Sequence, residues 1–212
     1  MKPIEAEAQS GYQYPDAATN CSHRVLLPGV DRILAGLALP KGARIFDLDC
    51  GNGSTAHHLT GLGYEVVGVD PSAEAIAQAQ RAYPHIKLQA GNAYDDLAAL
   101  YGTFPIVLSL EVVEHVFYPR KYAAAVYNLL EPGGTALIST PYHGYWKNLV
   151  LALTGKMDAH FTALWDYGHI KFWSIQTLNT LLREVGFTDI RYTRVGRVPA
   201  LACSMIAVAR KP

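Results

Sequence analysis

The chain has 212 residues, 50% of them hydrophobic and 17% charged, with 18 Lys plus Arg balancing 18 Asp plus Glu. That length suits one domain with a buried core, and that composition excludes a disordered chain. The balanced charge offers no global field for nucleic acid, Cys21, Cys50 and Cys203 are too scattered for a disulfide framework or zinc cluster, and no apolar run is long enough for a membrane span.

The opening stretch, MKPIEAEAQSGYQYPD, lacks the apolar core of a signal peptide, so the expected residence is cytoplasmic. Met1–Asn20 reads as a polar, partly mobile arm. His23–Leu39 carries Val25, Leu26, Val30, Ile33, Leu34 and Leu37 at helical spacing and predicts a leading helix over the site. From Arg44 the pattern alternates. Strands are predicted at Arg44–Leu48, Glu65–Asp70, Lys87–Ala90, Ile106–Leu110, Gly134–Thr140, Asp189–Val195 and Cys203–Ala209. Helices are predicted at Ser54–Leu62, Ser72–Tyr83, Arg120–Leu130 and Ile175–Val185. Apolar strands separated by helices indicate an α/β fold, a seven-stranded, mainly parallel sheet covered on both faces. The link Gly196–Ala202 is too short for a crossover helix, so the last strand should run antiparallel.

Pro141–Ile170 interrupts the alternation after the fifth strand. It is rich in aromatic side chains and reads as a substrate lid over the carboxyl edge of the sheet. Peripheral membrane contact is the competing reading, disfavoured by the lack of a basic face. The expected organisation is one domain over 1–212, with an arm and helix at 1–40 and the lid at 141–170.

Arg44–Asp70 reads as strand, glycine-bearing turn, helix and strand, the order that builds a nucleotide-type site. The turn holds Asp49, Cys50, Gly51 and Gly53, with Asp47 just before it, and lacks the G-x-G-x-x-G run of a dinucleotide site. An acid-led turn with small residues suits a nucleoside whose other end carries an amine. Asp70, 17 residues after Gly53, is placed to accept both ribose hydroxyls; its competing role is a helix cap, since Pro71 and Ser72 follow.

The segment resembles motif I of the class I S-adenosylmethionine-dependent methyltransferases, D-x-G-x-G-x-G, with Asp49 where the first glycine usually stands. The resemblance spans roughly Arg44–Pro212 and implies a Rossmann-like fold and S-adenosylmethionine as cofactor. A carboxylate at 49 would either crowd the methionine end or bind its ammonium group. The resemblance also puts Asn92 and Ala93, after the third strand, against the adenine, and Pro71 and Leu110 along the cofactor.

After the fourth strand comes Glu111-Val112-Val113-Glu114-His115. Spacings of three and four put such side chains on one face of a helical turn. Many class I enzymes carry an E-x-x-E-H run without metal. The run here is most similar to that of the ubiquinone-pathway O-methyltransferases and the small-RNA 2′-O-methyltransferases, which bind Mg²⁺ there with a later histidine from a segment like Gly168–Trp173. That likeness implies His115, His169 and Glu114 as catalytic groups and Glu111, Glu114, His115 and His169 as a metal quartet. It also implies Arg24 as partner of the methionine carboxylate. Tyr12 and Tyr14 are placed to close over the cofactor. In the lid, Tyr142, His143, Trp146 and Trp165 are candidate substrate contacts, whereas His160 reads as a packing histidine.

The expected function is O-methylation of a small apolar or aromatic hydroxyl compound. A catalytically silent adenosyl-binding domain, an RNA 2′-O-methyltransferase and a nicotinamide oxidoreductase are the alternatives. The last lacks its third glycine, and net charge zero disfavours RNA.

Overall fold

Seven strands form one sheet in the computed structural model, which describes residues 13–166 and 168–212. In chain order the elements are α1 (Cys21–Gly36), β1 (Arg44–Leu48), α2 (Ser54–Gly61), β2 (Glu65–Asp70), α3 (Ala73–Ala82), β3 (Lys87–Ala90), α4 (Leu97–Tyr101) and β4 (Phe104–Leu110). They continue with α5 (Pro119–Leu129), β5 (Leu130–Pro141), α6 (Tyr145–Leu153), α7 (Met157–Phe161), α8 (Ile175–Glu184), β6 (Thr188–Val195) and β7 (Ser204–Arg210). The strand order is β3-β2-β1-β4-β5-β7-β6. β1 to β5 pair in parallel, and β7 runs antiparallel to both β5 and β6. The last strand is therefore antiparallel, as expected, but it lies inside the sheet and β6 takes the edge.

Both faces of the sheet are covered, which is why its central strands read as unbroken apolar runs. Side chains alternate across each strand. Phe46, Leu48 and Val107 face one way, into a core with Tyr122, Trp173 and Leu182. Ile45 and Leu108 face the other way, toward Leu26, Val30, Leu34 and Leu59. Gly29 lets α1 approach the sheet closely, since a Cβ there would stand 3.1 Å from both Val195 and Ile206. The N-caps follow the sequence. Asn20 accepts from His23 N–H at 2.8 Å, and Ser72 accepts from Ala75 N–H at 3.1 Å.

Among the described residues the arm is strapped down. Asn52 Nδ2 donates to Asp16 O (2.9 Å) and Ala18 O (3.0 Å), and the Tyr83 hydroxyl donates to Ala17 O at 2.6 Å. These bonds tie residues of the expected arm to the domain; Tyr12 lies outside the described residues. The lid stretch 141–170 contains α6 and α7, and among the described residues no helix is long and apolar enough to cross a membrane.

Candidate active site

The carboxyl ends of β1, β2, β4 and β5 meet along one edge, and the turn after β1 shapes the first cavity. Asp49, Gly51 and Gly53 all have left-handed backbone (φ 60°, 54° and 77°). A Cβ on Gly53 would come within 2.6 Å of Leu88, so this turn packs too tightly for a side chain there. Asp70 holds the turn from the neighbouring strand. Its Oδ2 accepts from Gly51 N–H at 2.7 Å and its Oδ1 from Ser72 N–H at 2.8 Å. The cap of α3 is Ser72, which leaves Asp70 as a tie between two loops at the cavity wall.

Three acids crowd this corner. Burial, and then the charge of Asp70, push Asp47 up to about 7. Burial, with Asp70 and Asp47 behind it, raises Asp49 well above the usual carboxylate range. Burial lifts Asp70 to about 6 against the pull of its two N–H donors. Asp47 Oδ2 and Asp49 Oδ1 are buried with no hydrogen-bond partner. Unpaired buried acceptors of this kind call for donors or positive charge. S-adenosylmethionine carries two ribose hydroxyls, an ammonium and a sulfonium, so this donor-poor corner fits it.

The cavity has a volume of about 260 Å³, and Asp49, Asp70, Pro71, Leu110, His115 and His169 line it together with Tyr14, which covers Gly51. Asp47 lies beneath the turn, and Ala93 is packed into the core. Two expected cofactor contacts do not line the cavity. Arg24 is exposed and donates from Nε to Thr19 O at 3.2 Å, outside the cavity wall. Asn92 spends its side-chain carbonyl on Tyr94 N–H at 2.9 Å, an ordinary polar turn. His23 lines the cavity instead, beside Asn20; its Nδ1 lies 3.1 Å from Thr55 Oγ1, and burial lowers it to about 4. Sequence reasoning passed over His23, whose signal was its place three residues after the Asn20 cap.

The loop after β4 brings the second group together. His115 Nδ1 lies 3.2 Å from Gly168 O. A carbonyl only accepts, so Nδ1 carries a proton in this contact. Ile170 and Lys171 donate their N–H groups to Glu114 O (2.9 and 3.0 Å), and Trp173 Nε1 donates to Val113 O at 3.0 Å. The run after the lid is thus laced to the E-x-x-E-H run. Glu114, His115 and His169 bring one donor atom each to within 4.8 Å of one another, and the imidazole rings of His115 and His169 stand 4.9 Å apart. Burial depresses His169 to about 4 and raises Glu114 well above its ordinary value. Both Glu114 carboxylate oxygens are buried without a hydrogen-bond partner.

Of the expected quartet, Glu111 lines the same cavity but brings no ligand atom into this close group of three. Its left-handed backbone (φ 58°) swings the carboxylate toward β5 and β7, where it accepts from Ser139 Oγ at 2.8 Å and Ser204 Oγ at 3.2 Å. Burial lifts it to about 7, opposed by those two hydroxyls and by the charge of Lys147.

A second chamber of about 420 Å³ adjoins the first. Trp165 and His169 line both. Its other walls include Pro141, Val150, Leu151 and Leu201, with Lys147, His160 and Arg197 as the basic groups. Of the four expected substrate contacts only Trp165 lines it. Tyr142 lies under the Arg194 guanidinium, His143 packs among His160, Phe161 and Phe172, and Trp146 is 62% exposed. Lys147 was missed, although it is the one cation in the apolar run of α6.

The sequence of residues 21–192 matches the family model described as a methyltransferase domain. Ubiquinone biosynthesis O-methyltransferases of Roseobacter denitrificans and Cereibacter sphaeroides are 34% identical over 173 residues and 33% identical over 174 residues, each alignment covering 76% of this chain. The chain spans 66% of the length of those relatives. Among solved structures, magnesium protoporphyrin IX methyltransferase of Synechocystis with bound SAH superposes with a TM-score of 0.67 at 18% identity, over 88% of this chain and 82% of that one. The Haloferax volcanii methyltransferase in complex with its Trm112 activator gives 0.65 at 16% identity, over 86% and 88%. The structural matches share the fold, and the sequence match decides membership: this chain belongs to the methyltransferase-domain family.

Proposed function

We propose that the chain transfers the methyl group of S-adenosylmethionine to a hydroxyl oxygen of a small apolar or aromatic acceptor. One observation carries this reading. A donor-hungry, acid-lined cavity shares the wall formed by Trp165 and His169 with an apolar chamber, and two imidazoles and a carboxylate stand at that wall. The bound cofactor supplies an electrophilic methyl on a sulfonium.

The residues do the rest. Asp70 accepts the ribose hydroxyls, and the partnerless oxygen of Asp49 accepts the ammonium. His169, held near 4 by burial, is neutral at physiological pH and has a lone pair for the acceptor's proton. Glu114 behind it stabilises the imidazolium that results. Trp165 keeps water from the junction and orients an aromatic acceptor by edge contact. The same trio would hold a divalent cation, and two nitrogens with one oxygen suit Mn²⁺, Fe²⁺ or Zn²⁺ better than Mg²⁺. Such a cation would lower the pKa of the acceptor hydroxyl.

Calorimetry with SAH, followed by turnover on a panel of phenols, tests the reading. The expected result is SAH binding and an O-methylated product. Absence of SAH binding would overturn the proposal, while binding without turnover on any hydroxyl would favour a silent adenosyl-binding domain. Loss of turnover on chelation would assign the trio to a cation; unchanged turnover would assign it to proton transfer.

A further inference from the structure

The chamber beyond Trp165 has a chemistry that its apolar walls do not explain. Lys147 is the only buried residue of α6, at 7% exposure, on a helix whose Tyr145, Trp146 and Leu153 are largely exposed. An amphipathic helix ordinarily turns its apolar side inward and its lysine outward. Here the order is inverted. The Lys147 ammonium, which has three donor hydrogens, makes one hydrogen bond among the described residues, to Cys203 O at 3.2 Å. Arg197 and His160 line the same space, and among the described residues no carboxylate does. Glu111 acts on Lys147 through its charge without a hydrogen bond to it, and its carboxylate oxygens accept instead from Ser139 and Ser204.

A buried ammonium with unused donors in an apolar chamber is costly unless an anion completes it. We propose that this chamber binds an acceptor carrying a carboxylate, with Lys147 as the anion's partner, Arg197 assisting at the mouth, and the apolar body against Val150 and Leu151. The hydroxyl to be methylated then lies toward His169. This rests on the methyltransferase reading and adds a substrate class to it: apolar hydroxy acids in preference to neutral phenols. Burial lowers the Lys147 pKa, and a bound anion would restore its charge.

The probes are 3-hydroxy-2-naphthoate and its methyl ester, titrated into the SAH-loaded protein by calorimetry. The acid should bind about tenfold or more tightly than the ester, the effect expected of one charge-assisted hydrogen bond. Lys147→Met should remove that preference, Lys147→Arg should keep much of it, and SAH affinity should stay unchanged in both. Equal affinity for acid and ester in the wild type, binding of neither, or a preference that survives Lys147→Met would overturn the proposal. The wild-type comparison decides even if the methionine variant disturbs the lid. A protein that fails to bind SAH, or to methylate any hydroxyl, would instead defeat the methyltransferase reading, because the acid preference is read from binding alone.

Discussion

Asp49 and Asp70 face one cavity with opposite relations to their own backbone. Asp49 sits in a left-handed conformation that glycine adopts freely, and its Oδ1 has no partner. Asp70 holds two loops through two N–H groups. Replacing each should therefore move stability in opposite directions. Asp49→Gly should raise the melting temperature of the ligand-free protein by a few degrees, since relief of about 1 kcal/mol of strain and of a buried unpaired acid outweighs the flexibility gained. Asp70→Ala should lower it. Both should weaken S-adenosylmethionine, Asp70→Ala by about tenfold or more, because each removes an acceptor at the cavity wall. If Asp49→Gly leaves affinity equal or better, the carboxylate crowds the methionine end and does not bind its ammonium. The family's glycine at this position made the departure visible in the sequence, but its φ angle and orphaned oxygen required the structure.

At the level of elements, the bounds of β1, β2 and β3 coincide with those read from the sequence, because each is a buried or pleated run between glycine and polar turns. α4 escaped notice because its five residues, LAALY, give only one turn and no period. The trio was legible for a local reason: Glu114 and His115 are adjacent, and His169 stands in a recognisable run. Glu111 was misplaced because its partners, Ser139 on β5 and Ser204 on β7, are 28 and 93 residues away. Lys147 and Arg197 meet only through the lid's fold. The lacing of the post-lid run to the β4 loop is itself testable. Trp173→Phe keeps an aromatic ring in the core but loses part of its volume and strands the buried Val113 carbonyl. It should cost about 1–3 kcal/mol in a denaturation midpoint and raise the acceptor KM more than it weakens SAH, since the cofactor wall is otherwise intact. An unchanged midpoint would show that the indole N–H contributes nothing to anchoring His169.

Over the whole molecule, the balanced net charge conceals an uneven interior. Asp47 and Asp70 are buried beside the half-buried Asp49, with no basic side chain in ion-pair contact among the described residues. Asp47 rises from 3.8 to about 7 and Asp70 from 3.8 to about 6 on folding, so between these values the folded state binds more protons than the unfolded one. Stability then falls as pH rises through that window. His23, His143 and His169 act in the opposite sense, each dropping from 6.5 to about 4, so their contribution grows with pH and levels off about one unit above 6.5. The two trends offset below about pH 6.5, and above it the acids outweigh the fading histidine contribution. The ligand-free protein should therefore lose a few degrees of melting temperature between pH 6.5 and 8. A ligand that brings an ammonium to the same corner reverses the balance, because it binds the ionised acids. S-adenosylmethionine affinity should rise over that interval, and its stabilisation of the fold should grow with it. Parallel thermal melts with and without ligand at pH 6.5, 7.2 and 8 measure both slopes. A ligand-free protein that gains stability above pH 6.5, or an affinity that falls there, would mean that the acids are ionised and compensated before the ligand arrives.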